Sequence, residues 1–322
     1  MARHRTCGAR GAKTEVLGAE AAGASRIRRL EYRCRCAVTE LKCKLCGSKN
    51  VNFLFSEERS GVAYNSYHCE DCDLYQTLGD ISDVSPDYVD LEEGDLVGEH
   101  VFIQRKSKIG AFTQWLEEAK RLDPGLAAGE RRSVLDIGCG VGGFLDFARE
   151  RGFDVYGFDA SEAQARVAQK KHPNVRHAIS MDDYMAEFAE KPRIDFVTMW
   201  DVFEHIRDPK TLLRQVRQYL TPNTVYFVSV PSGKPTKAKL AFAKIRNREI
   251  GLIPWEHVFY YTPSSLARVF ADNGYEALKV TGVAPYVRDM NMHEFVRRNV
   301  HNLLQRTPYA FQICAFAKPQ KV

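Results

Sequence analysis

Two pairs of cysteines near the start of the chain have the spacing of a metal site. Cys43 and Cys46 are separated by two residues, and after a gap of 22 residues Cys69 and Cys72 repeat the pattern. A gap of two residues lets one tight turn direct both thiolates at a single ion, and four thiolates bind Zn²⁺ tetrahedrally. The spacing therefore predicts a zinc site, which is structural because four thiolates leave no open position for a substrate.

The sequence around these cysteines resembles a zinc ribbon over residues 41–78. Gly47 follows the first pair, where a knuckle needs a left-handed residue, and residues 51–55 and 62–67 have the pattern of short strands. His68 is a further candidate ligand, although its position is more typical of a surface residue. Nine cysteines in a chain without the apolar core of a signal peptide favour metal-bound or free thiols over disulfides.

A glycine-rich segment follows a short apolar run that has the pattern of a strand. Gly138, Gly140 and Gly143 satisfy the pattern G-x-G-x-x-G, in which backbone N–H groups approach a ligand at the carboxyl edge of a sheet. Asp159 stands nineteen residues past Gly140, at the end of the next predicted strand, where a carboxylate binds ribose hydroxyls. These residues alone are compatible with several nucleotide cofactors.

Asp136 distinguishes between those cofactors. A carboxylate two residues before the first glycine would repel a pyrophosphate, but it would attract an ammonium group in a partly buried site. S-adenosylmethionine carries an ammonium, a sulfonium and two ribose hydroxyls. Asp136 and Asp159 together match that cofactor, whereas a nicotinamide dinucleotide explains Asp159 alone.

Four segments together resemble the class I S-adenosylmethionine-dependent methyltransferases, and the resemblance covers about residues 98–318. Leu135–Gly140 is similar to the first motif of that family, and Gly157–Ser161 is similar to the second. Trp200–Pro209 resembles the segment after the fourth strand, and Pro254–Leu266 resembles a later signature of bacterial small-molecule members. The resemblance implies an enzyme that transfers a methyl group, and it does not specify the acceptor.

The same resemblance implies which residues contact the cofactor. The acids and the glycine loop line the ligand, Cys139 is expected to be a small packing residue whose backbone touches it, and a pair of residues after the third strand lies near the adenine. The expected contacts are Asp136, Gly138, Cys139, Gly140, Asp159, Ala160, Met181, Asp182 and Trp200.

Methyl transfer from a sulfonium needs a positioned acceptor and, for many acceptors, a base. The candidates for catalysis are Glu204, His205 and His257, because an imidazole with a pKa of about 6.5 can accept a proton near pH 7. His205 could equally hold a loop, while His257, which precedes the aromatic run 259–261, is favoured as an active-site residue. Some quinone O-methyltransferases with a similar segment use a divalent metal there, which would place such an ion at Asp201, Glu204 and His205.

The elements that must position these residues alternate between short apolar runs and helical patterns. Such alternation predicts an α/β fold with a doubly wound, Rossmann-like parallel sheet. Two further strands near 276–281 and 311–318 are expected to pair antiparallel and close the sheet. The predicted strands are 133–137, 155–159, 175–178, 195–200 and 225–230, and the predicted helices are 98–122, 143–151, 161–171 and 209–220.

The length of 322 residues is sufficient for one large domain and a small module. Residues 1–40 are rich in small residues and arginine and are expected to be a disordered tail. The zinc ribbon follows at 41–78, an acidic linker at 79–97, and the methyltransferase domain at 98–322. No apolar run approaches a membrane span, so the chain is expected to be cytoplasmic.

The net charge of +5 does not point to a nucleic-acid-binding protein once it is divided along the chain. Residues 1–42 carry ten lysines and arginines against four acids, and the remainder carries 36 against 37. The ribbon itself has few basic residues, far from a stripe that follows phosphates. The expected partner is therefore a small-molecule acceptor, with a sugar or another hydroxylated metabolite as the first candidate. A basic segment at 234–248 adds the possibility of an anionic acceptor, such as a nucleotide-linked sugar.

Two other functions are compatible with the sequence. The ribbon could direct methyl transfer to RNA, although the chain has no Asn-Pro-Pro-Tyr-like segment after the fourth strand. A protein that keeps the cofactor fold without turnover could instead serve in binding or assembly, but the intact acids and glycines argue against such decay. The sequence gives no indication of the oligomeric state.

Overall fold

The computed structural model describes residues 41–59, 61–78, 99–130, 132–246, 252–283, 303–304, 307 and 309–321. The side chains of residues 99–107, 244 and 246 lie outside that description. Glu40–Val322 forms one compact unit. The expected tail at 1–40 and the expected linker at 79–97 fall outside the described residues, so these two boundaries stay predictions.

The described elements follow the predicted alternation of strands and helices. Their bounds, in chain order, are β1 (Val51–Arg59), β2 (Val62–Cys69), β3 (Leu74–Leu78), α1 (Glu99–Leu122), α2 (Pro124–Ala127), β4 (Ser133–Ile137), α3 (Gly143–Arg149), β5 (Asp154–Asp159), α4 (Glu162–Gln169), β6 (Val175–His177), α5 (Met181–Ala186), β7 (Ile194–Trp200), α6 (Pro209–Arg217), β8 (Leu220–Pro231), α7 (Thr236–Arg246), β9 (Phe259–Tyr260), α8 (Pro263–Ala271), β10 (Tyr275–Val283) and β11 (Gln312–Pro319).

The larger sheet has seven strands in the order β10-β11-β8-β7-β4-β5-β6. β4, β5, β6, β7 and β8 pair in parallel, whereas β11 runs antiparallel to both β8 and β10. The predicted α/β fold and the antiparallel last strand are therefore confirmed. This order places the carboxyl ends of β4 and β5 side by side, so the segments that carry Asp136 and Asp159 are neighbours.

Local sequence accounts for most of these elements. β4 is buried along its whole length, as expected for a central strand covered by helices on both faces. Ser161, Asp208 and Thr262 cap α4, α6 and α8, because each side chain accepts a hydrogen bond from a backbone N–H of the first turn. Helix α5 was not predicted, and β8 extends several residues further than expected at its start.

The core has two layers, one on each face of the seven-stranded sheet. Alternate residues of β8 enter different clusters, with Tyr226 and Val228 on one side and Val225 and Phe227 on the other. The zinc-site residue Cys69 belongs to the first cluster, so the ribbon is packed into the main core. Among the described helices, none combines the length and hydrophobicity needed to span a bilayer.

The smaller sheet is formed by the ribbon and one distant strand. β1, β2 and β3 are consecutive and antiparallel, and β9 adds a fourth strand beside β3. The strands predicted at 51–55 and 62–67 are present and longer than expected. Neither β3 nor its pairing with β9 was predicted, since two residues of strand carry almost no local signal.

Candidate functional site

The four paired cysteines converge as the spacing predicts. The sulfurs of Cys43 and Cys72 are 3.5 Å apart, those of Cys46 and Cys69 are 3.6 Å apart, and all four lie within 4.8 Å of one another. Four sulfurs bound tetrahedrally at about 2.3 Å from Zn²⁺ would be about 3.8 Å apart. The thiol of Cys72 lowers the pKa of Cys43 to about 5 by hydrogen bonding. The donor set therefore fits a structural zinc ion.

Both cysteine knuckles end in a left-handed residue. Gly47 follows Cys46 with φ of 74°, and Asp73 follows Cys72 with φ of 57°. Aspartate tolerates this region better than most residues, because its short side chain can bond locally. The imidazole of His68 lies 2.9 Å from the Asp73 carboxylate. His68 is only 3% exposed, so the expectation of a surface residue was wrong, and the hydrogen bonds of its two ring nitrogens with Glu70 and Asp73 explain its burial.

The glycine loop turns sharply at the carboxyl end of β4. Gly138 has φ of 70°, and a Cβ placed on it would lie 2.5 Å from Cγ2 of Val202. Only glycine fits a left-handed position with so close a neighbour. The N–H groups of Gly138 and Cys139 both donate to the carbonyl oxygen of Phe158 at the end of β5. The loop is thereby bonded to the neighbouring strand.

The two acids at this edge have different partners. Asp159 accepts hydrogen bonds at 2.8 Å from the N–H groups of Gly140 and Ser161, so its carboxylate ties the glycine loop to the start of α4. Asp136 is buried and accepts a bond of 2.6 Å from the Thr198 hydroxyl. Burial raises the pKa of Asp136 to about 8, and burial also raises the pKa of Asp159. Both carboxyls therefore favour a cationic or hydrogen-bonding partner.

The other expected cofactor contacts lie around this loop. Cys139 is buried, and burial raises the pKa of its thiol well above the ordinary value, which fits a packing role. Ala160 is exposed, and its carbonyl oxygen accepts a hydrogen bond from His177. Trp200 packs against Phe227 with ring centroids 4.5 Å apart. Its indole N–H is buried and has no hydrogen-bond partner among the described residues.

Met181 and Asp182, the pair expected near the adenine, differ from the neighbouring Ile179 in exposure and in contacts. The Met181 side chain is fully buried in the core, and the exposed Asp182 accepts a hydrogen bond from the Tyr219 hydroxyl. Ile179 is 74% exposed, immediately after Ala178, whose N–H donates to the carbonyl oxygen of Asp159. An exposed apolar side chain beside Asp159 is suited to pack against a flat base such as adenine. The sequence alone does not indicate that Ile179 is exposed.

The catalytic candidates form one cluster across two segments. One ligand atom from each of Glu204, His205 and His257 lies within 4.8 Å of the other two. The two imidazole rings meet edge to face with centroids 4.8 Å apart, and Nε2 of His205 is 4.0 Å from the Glu204 carboxylate. The Nδ1–H of His205 donates to the carbonyl oxygen of Glu256 at 2.9 Å. That bond directs Nε2 of His205 into the cluster.

Burial sets the charge of these groups. It lowers the pKa of His205, lowers the pKa of His257 to about 3, and raises the pKa of Glu204 well above its ordinary value. Oε2 of Glu204 and Nδ1 of His257 are buried without a hydrogen-bond partner among the described residues. Two neutral imidazoles and a carboxyl are donors that suit a divalent transition metal or a proton-bearing acceptor.

Asp201 does not belong to this cluster, so the set Asp201, Glu204 and His205 expected for a divalent metal is replaced by one that contains His257. Asp201 has φ of 55° immediately after β7, and this turn directs its carboxylate elsewhere. Its oxygens accept hydrogen bonds from Gln312 at 2.6 Å and from Lys108 at 3.1 Å. Sequence reasoning missed Lys108, because a lysine on the face of a long helix carries no signal of its own.

Comparison with known proteins gives a consistent result. The family model of the methyltransferase domain matches residues 107–280. The ubiquinone biosynthesis O-methyltransferase of Leptothrix cholodnii is 28% identical over 181 residues, covering 52% of this chain and 72% of that protein. That of Pseudomonas paraeruginosa is 32% identical over 176 residues, with the same coverage. A solved S-adenosylmethionine-dependent methyltransferase from Archaeoglobus fulgidus is 20% identical, covers 66% of this chain and 94% of that one, and has a TM-score of 0.46.

Proposed function

This chain belongs to the methyltransferase-domain family and is a class I S-adenosylmethionine-dependent methyltransferase, and on that premise we propose that it methylates a hydroxyl group of a small, largely apolar acceptor. The observation that carries the proposal is the cluster of Glu204, His205 and His257, whose ligand atoms lie within 4.8 Å of one another. Glu204 and His205 follow β7, whose end lies beside β4 in the same sheet. An acceptor in this cluster would therefore be close to the cofactor edge.

On the cofactor side, the chain supplies charges that match the two ends of the ligand. Asp136 would pair with the ammonium group, and Asp159 would accept from the ribose hydroxyls. Lys108, which bonds Asp201 at 3.1 Å and whose charge offsets part of the rise in the pKa of Asp136, would pair with the carboxylate of the methionine part. Charge complementarity at both ends supports this orientation of the ligand.

On the acceptor side, the histidines are available as neutral bases. The bond from Nδ1–H of His205 to the carbonyl oxygen of Glu256 fixes the tautomer in which Nε2 carries the lone pair, and a lone pair on Nε2 can accept a proton from the acceptor hydroxyl. His257 is also neutral near pH 7, since burial lowers its pKa to about 3. Removing the proton from the acceptor oxygen in step with its attack on the methyl carbon raises the nucleophilicity of that oxygen.

The same residues also fit a divalent metal ion. Glu204 and His257 each present a buried atom without a described partner, and His205 completes a set of two imidazoles and one carboxylate. When bound, such an ion would lower the pKa of an acceptor hydroxyl by acting as a Lewis acid. The residues that would hold it are Glu204, His205 and His257.

The surroundings of the cluster favour an aromatic or apolar acceptor over an anionic one. Tyr260 contacts the ring of His257 with centroids 5.3 Å apart, and Phe203 stacks on Tyr261 at 5.2 Å. The relatives reported above are named as ubiquinone biosynthesis O-methyltransferases, which also supports a hydroxylated ring. We therefore place a hydroxylated ring ahead of the sugar that the sequence favours.

The basic segment at 234–248 gives less support to an anionic acceptor than its composition implies. Lys234 lies 2.5 Å from the Asp73 carboxylate, and Lys237 lies 3.5 Å from that of Glu70. Both lysines thus neutralise acids of the ribbon. The same pairs weigh against RNA as the acceptor, because the ribbon presents acids at this face instead of a track of free cations.

The proposal is tested by incubating the protein with S-adenosylmethionine labelled in the methyl group and two panels of acceptors. One panel contains catechols and hydroxylated quinols, and the other contains nucleotide-linked sugars and structured RNA. Label transfer to the first panel alone, lost in Glu204→Gln, supports the proposal. Transfer only to the second panel would overturn the acceptor class. Cofactor binding without transfer to any acceptor would support the non-catalytic alternative.

A further inference from the structure

The strand that follows His257 belongs to the sheet of the zinc ribbon. β9 pairs antiparallel with β3, with Gln76 opposite Phe259. One step further along, the N–H of Thr77 donates to the carbonyl oxygen of Val258 at 2.8 Å. The residue next to the imidazole of His257 is therefore bonded to the ribbon through its backbone.

The other side of the same segment is bonded to the turn after β7. The N–H of Phe259 donates to the carbonyl oxygen of Glu204 at 3.1 Å, and the imidazole of His205 donates to the carbonyl oxygen of Glu256 at 2.9 Å. His257 lies between these two bonds. Its position relative to the other catalytic candidates is thus set from one side by the methyltransferase turn and from the other by the ribbon.

The side chain of Gln76 connects this strand pair to the metal site. Gln76 is 1% exposed, and its Oε1 accepts a hydrogen bond of 3.0 Å from the N–H of Lys44. Lys44 lies between Cys43 and Cys46, inside the first knuckle. One side chain therefore joins the turn that holds two zinc ligands to the strand that holds β9.

Asp73 makes a second connection from the other knuckle. It directly follows Cys72, and its carbonyl oxygen accepts a hydrogen bond of 2.9 Å from the hydroxyl of Thr262, which caps α8. Its carboxylate binds Lys234, at the junction between β8 and α7. Both knuckles are thus bonded to chain segments that flank β9.

We propose that the zinc ribbon positions His257, and that Gln76 is the positioning residue that couples the four-cysteine site to the catalytic cluster. With the metal bound, the knuckles hold Gln76 and β3 in place, and β3 holds the backbone that follows His257. Without the metal, the four clustered thiols, three of them buried, lose their common partner, and the two knuckles are no longer held together. β9 then loses the strand with which it pairs, and His257 is no longer held beside His205.

The cofactor edge is expected to be insensitive to this change. Asp136 bonds Thr198, and Asp159 bonds Gly140 and Ser161, all of them on the larger sheet or its loops. None of these hydrogen bonds involves the ribbon. Loss of zinc should therefore lower acceptor turnover and leave cofactor affinity unchanged, although an active site usually gains or loses these two properties together.

The first test removes zinc from the full chain with a chelator and measures hydrogen exchange and the affinity for S-adenosylhomocysteine. Amides at 256–262 are expected to exchange at least about tenfold faster, while the peptide at 134–143 and the affinity change less than about twofold. Unchanged exchange at 256–262 would overturn the proposal. Unfolding of the whole chain with loss of ligand affinity would overturn it as well, because the coupling would then be global.

The second test keeps zinc and changes the connecting side chain. Gln76→Met preserves shape and removes the acceptor for Lys44, and it is expected to retain zinc, to speed exchange at 256–262 and to lower kcat without changing cofactor affinity. Gln76→Glu restores an acceptor oxygen and should reverse these effects. Asn52→Ala on β1, which removes a bond of 3.2 Å to Glu70, is the matched control. If Gln76→Met behaves like this control, Gln76 has no positioning role.

This inference rests on the proposed function only where it refers to acceptor turnover. Exchange, zinc content and ligand affinity are measured without any acceptor, so a failed acceptor search leaves both tests intact. Conversely, a correct acceptor with an uncoupled ribbon would overturn the positioning role alone.

Discussion

The rings of His205 and His257 meet edge to face, with centroids 4.8 Å apart, although 52 positions separate the two residues in the chain. One ring is held by its bond to the carbonyl oxygen of Glu256, and the other stands next to that same peptide. The two rings therefore meet because the short segment that contains Glu256 and His257 folds back on the turn after β7. The acceptor site that we propose is placed at this pair.

The first prediction concerns the histidine pair. His205→Ala and His257→Ala should each lower kcat by about 10² to 10⁴, since each removes a candidate base or its neighbour, and affinity for the cofactor should stay unchanged. Steady-state kinetics with the acceptor found by label transfer measures the effect. Glu256→Gln is the control, because the backbone carbonyl oxygen that holds His205 remains, while the contact of 3.9 Å with Arg59 and the charge near His205 are lost. Wild-type kcat in both histidine variants would exclude the pair from catalysis.

The second prediction separates two possible sets of metal ligands. With zinc in the four-cysteine site, Co²⁺ is titrated into the chain and followed by its d–d absorption. Glu204→Gln and His257→Ala should weaken binding about tenfold or more, because each removes a ligand. Asp201→Asn should have little effect, since Asp201 is bonded to Lys108 and asparagine also tolerates its left-handed backbone. Equal losses in Asp201→Asn and Glu204→Gln would instead support the set inferred from the sequence.

The third prediction is a pH dependence of cofactor binding. Burial raises the pKa of Asp136 to about 8, so the cofactor-free protein carries a neutral carboxyl below that pH, while the ammonium group favours the ionised form. Affinity should therefore rise about tenfold per pH unit below pH 8 and level off above it, with a proton released on binding at pH 7. Calorimetry in buffers of different ionisation enthalpy counts that proton.

The same experiment has a variant and a control. Asp136→Asn should bind the cofactor more weakly and release fewer protons on binding than the wild type. The difference in proton release between the two proteins is due to Asp136 and not to the titration of the cofactor itself. Asp154→Asn, at the exposed opposite end of β5, should behave like the wild type. Identical proton release in wild type and Asp136→Asn would mean that Asp136 does not face the ammonium group.

The fourth prediction compares two left-handed glycines. Gly152→Ala should cost about 1 kcal/mol of unfolding free energy, because φ is 82° and a new Cβ meets nothing within 4 Å. Gly138→Ala should cost about 1 to 3 kcal/mol more, because its Cβ would lie 2.5 Å from Val202. Denaturant unfolding measures both, and calorimetry should show lost cofactor affinity in Gly138→Ala alone. Equal costs for the two variants would mean that the loop moves to accommodate the methyl group.

Features encoded by local patterns could be predicted from the sequence. The strand at 133–137 has the predicted bounds, and the last two strands pair antiparallel as expected. The four cysteines converge because their spacing within each knuckle fixes two sulfurs at a time, and only the meeting of the two knuckles depends on the fold. The glycine loop is similarly local, since the strand before it and the helix after it determine its place.

Features that depend on distant pairings could not be predicted. Nothing in a run of two strand residues indicates that β9 joins the ribbon, or that His257 takes the place expected for Asp201. The burial of His68 depends on Asp73, whose carboxylate also meets a lysine from another part of the chain. In each case the deciding contact forms only after two or three separate segments have assembled.

The bond between Thr262 and Asp73 spans 189 residues of sequence and has a consequence for how the protein is made. During synthesis β1, β2 and β3 leave the ribosome about 180 residues ahead of β9, which is the fourth strand of their sheet. Contacts of such separation form late, because the intervening chain must first be ordered. Until then β3 has an unpaired edge, and such an edge is a template for pairing with other chains.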